Sequence, residues 1–190
     1  MSDCVRIAEL VDRLGRMAHG LQYASGLNPA QWEALRFIAR ANRYSRSPGA
    51  IARYLGTTRG TVSQTLIALE AKGYVRRLRC DADRRALTVD LTDTGRALIE
   101  EDPLCLVLRA ADALDCDAQL RLADGLDGLV RAVQSAKGMP EFGPCLNCVH
   151  FLPDGRDDEA ESCRCALADE PIPAGETAKI CVQFEAAAPA

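Results

Sequence analysis

Five of the chain's nine cysteines fall where its helical pattern has run out, spaced as Cys145-x2-Cys148, Cys163-x-Cys165 and a lone Cys181. This block constrains the fold more than any other feature. Gly, Pro, Asp and Cys replace apolar periodicity there, and a segment without a hydrophobic core is either disordered or stapled by something else. Nine is an odd number, so complete internal pairing as disulfides is impossible. The opening MSDCVRIAEL has no basic region leading into an apolar run, so no signal peptide is expected. No stretch approaches the roughly 18 apolar residues of a membrane span. A cytoplasmic location without a membrane partner is the default expectation. In that reducing compartment, clustered cysteines more often bind metal or do redox chemistry than form structural disulfides.

Ahead of the cysteines the pattern is helical. Ile7, Leu10, Val11, Leu14, Met17 and Leu21 recur at three- and four-residue spacing, predicting a helix from Asp3 to about His19, with Gly20 as its stop. Asn28 and Pro29 are cap and first residue of a second helix, running to about Arg43 and burying Trp32, Leu35, Ile38 and Ala39. Ser47 and Pro48 open a short helix carrying Ile51, Ala52 and Leu55, which Gly56 ends. Thr58 caps another, with Val62, Leu66 and Leu69 inward and Gly73 as its left-handed stop. Two short helices joined by a Gly-containing turn are a helix-turn-helix. The period then changes to two: Val75 to Leu78 and Leu87 to Leu91 read as strands, joined by the polar loop Arg79-Cys-Asp-Ala-Asp-Arg-Arg85. Such a hairpin is a wing. Thr92 caps a further helix that Pro103 interrupts and that resumes through Leu114. Asp117 begins a last one, ended by Gly138. The helices after Thr92 carry more leucine than one small winged domain buries, which marks them, along with the first helix, as candidate dimer-forming surfaces. The fold class is therefore mainly α with a β-hairpin wing, a winged helix-turn-helix with long dimerisation helices. A boundary near Met139-Pro140 divides it into residues 1–138 and a small, irregular, metal-bound module at 139–190.

Charge is distributed unevenly. Residues 1–100 hold 16 basic and 10 acidic side chains, net +6, and residues 101–190 hold 7 and 17, net −10, which sum to the −4 of the whole chain. Between Arg43 and Arg85 there are 10 basic and 3 acidic residues. A basic stretch within an acidic chain suits a phosphate backbone.

Two segments, Leu55-Gly-Thr-Thr-Arg-Gly-Thr-Val-Ser-Gln-Thr-Leu-Ile-Ala-Leu-Glu-Ala-Lys-Gly-Tyr-Val75 and Asp81-Ala-Asp-Arg-Arg-Ala-Leu-Thr-Val-Asp-Leu-Thr-Asp-Thr-Gly95, carry a resemblance to the MarR family of winged-helix regulators. It covers about Asp3 to Lys137. The second segment resembles the family's wing signature, and Leu35 within Gln31-Trp-Glu-Ala-Leu-Arg36 matches its second helix. The resemblance implies a homodimer on a palindromic double-stranded operator, with recognition helices in successive major grooves about 10 bp apart. Carried onto this chain, the DNA-contacting candidates are Thr58, Arg59, Thr61, Ser63 and Gln64 on the helix and Arg84 and Arg85 on the wing. Arg59 suits guanine or phosphate, and Gln64 suits adenine. One wing arginine can instead pair with Asp81 or Asp83; Arg85 is the preferred DNA contact. Family members often respond to a phenolic ligand, but nothing in this sequence identifies such a pocket.

Four thiolates suit a soft or borderline metal. Cys145, Cys148, Cys165 and Cys181 make one candidate set, and Cys163 is the alternative to Cys165. The surrounding sequences, Cys145-Leu-Asn-Cys-Val-His-Phe151, Cys165-Ala-Leu167 and Ile180-Cys-Val-Gln-Phe184, are similar to small [4Fe–4S] modules of high-potential iron–sulfur proteins and of the small subunits of some glycyl-radical enzymes. That resemblance makes a [4Fe–4S] cluster the leading cofactor, with Phe151 and Phe184 as shields against water. Structural Zn2+ is the alternative, with a small-molecule or thiol-based signal. His150 is a spare zinc ligand or a hydrogen-bond donor. Cys4, Cys80, Cys105 and Cys116 carry no site signature. There is no nucleotide-binding Gly-rich loop and no catalytic constellation, so an enzyme is not expected. The reading is a transcription regulator that senses redox state, oxygen or iron–sulfur status through its tail, by changing how that tail packs on the dimer helices.

Overall fold

Local signals begin most of the helices in the computed structural model, which describes residues 2–23, 25–79, 87–153 and 163–187. Helix α1 spans Asp3–Leu21. It passes through Gly20 because Gln22 closes its end, donating its backbone N–H to His19 and its side-chain amide to the Ala18 carbonyl. Helix α2, Pro29–Arg40, starts from a full capping box in which Asn28 and Gln31 satisfy each other's backbone N–H groups. It buries Trp32, Ala34, Leu35, Phe37 and Ile38, and half-buries Ala39. The sequence pattern carries it to Arg43, but it ends at Arg40. Ala41 and Asn42 turn extended and meet Ile180 from the cysteine segment, whose carbonyl accepts the Asn42 N–H at 2.9 Å. A 3-10 turn at Arg43–Ser45 follows.

The helix-turn-helix is α3, Pro48–Tyr54, and α4, Arg59–Ala71, capped by Ser47 and Thr58. The left-handed backbone that the joining turn requires is supplied by Gly56, at φ 61°. Val62, Leu66 and Leu69 of α4 face the core together with Ile51 of α3. Strands β1, Val75–Arg79, and β2, Leu87–Leu91, pair antiparallel with Val75 opposite Leu91. Thr92 then caps α5, Asp93–Glu100, and its hydroxyl also donates to the Gly73 carbonyl at 2.6 Å.

The break at Pro103 is real: α5 stops at Glu100 and α6 begins at Cys105. Helix α6 ends at Asp112, two residues short of the expected Leu114. Helix α7, Cys116–Ala136, starts one residue before the expected Asp117, because Asp115 is the side chain that accepts the Ala118 N–H. Neither α1 nor α7 buries a single residue within the chain.

The cysteine segment is not wholly irregular. Strand β3, Gly143–Pro144, pairs with β7, Ile180–Cys181, and β4, Phe151–Pro153, β5, Cys163–Cys165, and β6, Glu170–Ile172, form an antiparallel meander. The segment docks on the winged-helix core. Val182 is 5% exposed within the same apolar cluster as Trp32 and Leu35, and Phe142 reaches Tyr54 at 5.0 Å between ring centroids. Its polar attachments go to the turn between α2 and α3: Glu176 accepts the Arg43 backbone N–H, and Tyr44 donates to Glu170. The tail also shares a cleft with α7, lined by Val130 and Gln134 on one side and Phe142 and Phe184 on the other. Its principal seat is the turn feeding the helix-turn-helix, where core and backbone partners are available.

Candidate nucleic-acid interface and cysteine cavity

The apolar residues of α4 point inward, so its opposite face is left to solvent. Thr58, Arg59, Thr61 and Gln64 are exposed there and Ser63 is half-buried. Thr58 has a structural task as well: its Oγ1 accepts the Thr61 N–H at 3.1 Å and lies 2.9 Å from the Thr61 hydroxyl. The unpaired N–H groups and dipole of a helix start favour an anion such as phosphate. The wing candidates Arg84 and Arg85, their possible partners Asp81 and Asp83, and Cys80 lie outside the described residues.

The wing's base is held by a cluster that sequence reading missed. Asp90 on β2 meets Arg46 at 3.0 Å and both Arg76 and Arg96 at 3.3 Å. Burial alone would push its carboxyl up, but these three guanidiniums and the Leu91 N–H bring it below the usual carboxylate range. Three arginines around one acid were not legible beforehand, because the partners come from three separate elements.

The cysteines meet on the far side of the same turn. A 3-10 turn at Cys145–Asn147 folds Cys145 and Cys148 toward each other, with the Cys148 N–H closing on the Cys145 carbonyl at 3.0 Å. Strand β5 brings Cys165 and β7 brings Cys181. All four line one cavity. Cys145 and Cys181 are buried; Cys148 and Cys165 are half-buried. The cavity's remaining wall is mainly Tyr44, Phe151, Leu167 and Ile172. Cys163 is not among its lining residues; it sits opposite Ile172 and Pro153 in the meander. Phe184, expected as a shield, also faces elsewhere: its ring covers Gly143, where an added Cβ would come within 2.7 Å of it. His150 does line the cavity, and its Nε2 lies 3.3 Å from Glu185.

The cavity's electrostatics follow from this gathering. Burial pushes the Cys145 thiol up, a hydrogen bond from Asn42 opposes the rise, and the neighbouring Cys181, Cys165 and Cys148 add to it. Like charges so close are costly unless a cation lies among them. Among the described residues no group of three or more His, Cys, Asp or Glu side chains is arranged to hold a metal ion. A tetrahedral zinc at about 2.3 Å from each sulfur requires the sulfurs to approach to about 3.8 Å of one another.

Residues 25–86 match the MarR family. The MarR-type segment also has curated relatives. It is 30% identical over 78 residues to the transcriptional repressor MprA of Escherichia coli K12, a match covering 41% of this chain and 44% of that protein. The chain thus spans less than half the length of this curated relative. Among solved structures, a mutant of Staphylococcus aureus MepR aligns at TM-score 0.57 and 18% identity, over 70% of this chain and all of that one. Streptococcus pneumoniae FabT in complex with DNA aligns at TM-score 0.56 and 21% identity, over 69% of this chain and 97% of that one. The winged-helix fold, with its mainly helical body and small hairpin, is shared with these structures. Among the described residues, no helix is long and apolar enough to cross a membrane.

Proposed function

We propose that the chain is a homodimeric, sequence-specific DNA-binding transcription regulator whose four-cysteine cavity holds a [4Fe–4S] cluster, so that operator affinity follows redox or iron–sulfur status. The carrying observation is that Cys145, Cys148, Cys165 and Cys181 line one cavity, seated on the turn that enters the helix-turn-helix. A cubane takes four thiolates, and the likeness of the sequences around these cysteines to small [4Fe–4S] modules favours it over a single zinc ion. When bound, it supplies reversible one-electron chemistry tuned by hydrogen bonds and burial. The chain's own part is to present the four sulfurs, exclude water with Phe151, Leu167 and Ile172, and connect the site to α3 and the wing.

The reading head is Thr58, Arg59, Thr61, Ser63 and Gln64 in a major groove, with Arg84 and Arg85 of the wing on the backbone or in the minor groove. FabT, which shares the fold, was solved in complex with DNA. Dimerisation is supported by the bare apolar faces of α1 and α7, where Leu10 is 55% and Leu120 63% exposed. Two copies related by a twofold axis cover these faces and fit a palindromic operator. This role involves no turnover and no membrane, and belongs in the cytoplasm.

The test is anaerobic purification with iron, sulfide and zinc quantified. Wild type and Cys163→Ser should hold iron and acid-labile sulfide, while Cys145→Ser, Cys148→Ser, Cys165→Ser and Cys181→Ser should lose most of both. Stoichiometric zinc without iron would replace the cluster with a structural metal. Loss in Cys163→Ser but not in Cys165→Ser would exchange the third ligand. Titration of the pure dimer on operator and scrambled DNA at fixed salt decides sequence specificity.

A further inference from the structure

The turn from Asn42 to Arg46 touches the cysteine cavity on one side and the wing on the other. Asn42 is 1% exposed and Ser45 is 0% exposed, so every polar atom there needs a partner. The partners fix which way the Asn42 amide points. The Val182 N–H donates to Ser45 Oγ at 2.9 Å, so the hydroxyl sends its own proton to Asn42 Oδ1 at 2.7 Å. That assigns the amide oxygen and leaves Asn42 Nδ2 to face Cys145 Sγ at 3.8 Å. One residue later the network crosses to the wing. Arg46 donates from Nε to the Ala41 carbonyl at 3.1 Å and from Nη1 to Asp90 at 3.0 Å, while its own carbonyl accepts the Val89 N–H at 2.8 Å. Its Nη2 lies 3.8 Å from Glu176, which returns to the cysteine segment.

We propose that Asn42 is a positioning residue for the sulfur-held group, its amide N–H setting the group's reduction potential through Cys145, and that the Asn42–Arg46 turn links the charge on that sulfur to wing strand β2. This rests on the cluster reading above. A hydrogen bond donated to a thiolate stabilises the more negative, reduced state and so raises the potential. As the sulfur gains or loses charge, the amide is drawn in or released. Its oxygen moves with Ser45, which holds Val182, and the same short turn holds Arg46 against Asp90.

The experiment uses the full chain, reconstituted anaerobically with iron and sulfide, as wild type, Asn42→Asp, Asn42→Leu, Ser45→Ala and Arg46→Lys. Midpoint potentials, melting temperatures and operator affinities in both redox states are measured. Asn42→Asp and Asn42→Leu should lower the reduced-to-oxidised ratio at a fixed poise by about tenfold, which is ~59 mV for one electron. Ser45→Ala, which only frees the amide to turn, should shift it the same way by less and keeps the test alive should the Asn42 variants fold poorly. Arg46→Lys keeps the charge but not the fork. It should leave the midpoint where it is and shrink the ratio of operator affinities between the two states. Unmoved midpoints in the folded Asn42 and Ser45 variants overturn the assignment of Asn42, and a wild-type affinity ratio in Arg46→Lys overturns the link to the wing. Colourless, iron-free wild type removes the cluster reading and this proposal together. Coloured wild type with unmoved variants removes this proposal alone.

Discussion

Asp102 stands where α5 gives way to α6, and removing its charge should loosen the joint between the winged-helix core and the long helices. Arg36 of α2 grips it with both arms, Nε to Oδ2 at 2.5 Å and Nη2 to Oδ1 at 2.7 Å. Oδ1 also accepts the Leu104 N–H at 2.8 Å, and the remaining Arg36 arm reaches Gln22 after α1 at 3.1 Å. The two side chains are only 15% and 13% exposed, so solvent screens the pair little. Asp102→Asn keeps the shape and one acceptor oxygen, but turns an amide N–H toward a guanidinium. Hydrogen bonds to charged groups contribute about 1.5–3 kcal/mol, so the expected loss at pH 7 is about 2 kcal/mol. The pH dependence carries a definite sign. Burial by itself would raise the Asp102 carboxyl, but Arg36 and the Leu104 N–H pull it below the ordinary range. A folded-state pKa below the unfolded value of about 3.9 gives stability that is complete above that pH and lost as pH falls through the folded value. Urea unfolding of both proteins, at equal chain concentration since association contributes, should show the gap at pH 7 closing progressively below about pH 4. A gap under about 0.5 kcal/mol at pH 7, or one that stays constant into acid, would refute this account of the joint.

Three further substitutions follow from contacts in the fold. Asn28→Ala removes the capping box of α2 and should cost about 1 kcal/mol, read from the urea midpoint. Gly95→Ala would place a Cβ 2.0 Å from the Tyr74 carbonyl oxygen; the resulting shift of α5 against the wing should cost about 3 kcal/mol, measured the same way. Val182→Ala removes buried apolar volume from the core that the cysteine segment shares with the winged helix, and should cost about 2 kcal/mol. Calorimetry of this last variant should show one transition moving as a whole; a separate early transition would show that the segment melts independently.

What could be read from the sequence was what neighbouring residues decide among themselves. Asn28, Ser47, Thr58 and Thr92 all cap the helices expected of them, because a side-chain oxygen meeting an N–H three residues on is a local event. The two-residue period of the wing strands, the apolar stripe of the first helix and the excess of leucine on the last are of the same kind. The misses share the opposite cause. Helix α2 ends early because Ile180 claims the backbone at Ala41 and Asn42. Phe184 turns away from the cysteines because Gly143 leaves room for its ring. Asn42 went unnoticed because an asparagine after a helix looks like a loop residue until Ser45, Val182 and Cys145 are brought around it. Asp90 likewise gains its meaning only when three elements converge.

The place where the cysteine segment docks also bears on whether it can govern DNA binding at all. A tenfold change in operator affinity needs a coupling free energy of about 1.4 kcal/mol between the two sites. An ordinary internal hydrogen bond contributes about 1 kcal/mol net, and one left unmade in a buried place costs about 1–3 kcal/mol. Between the cavity and the wing there are at least three such bonds in series: Asn42 to Cys145, Ser45 to Asn42 and Arg46 to Asp90. Under the proposed cluster reading, weakening any two of them in one redox state would be enough. Had the segment hung from the end of α7 alone, the coupling would have had to cross the whole long-helix arm to reach α3. Seated on the Asn42–Arg46 turn, it is two residues from the start of α3, and under the proposed reading a shift there would re-aim the helix-turn-helix directly.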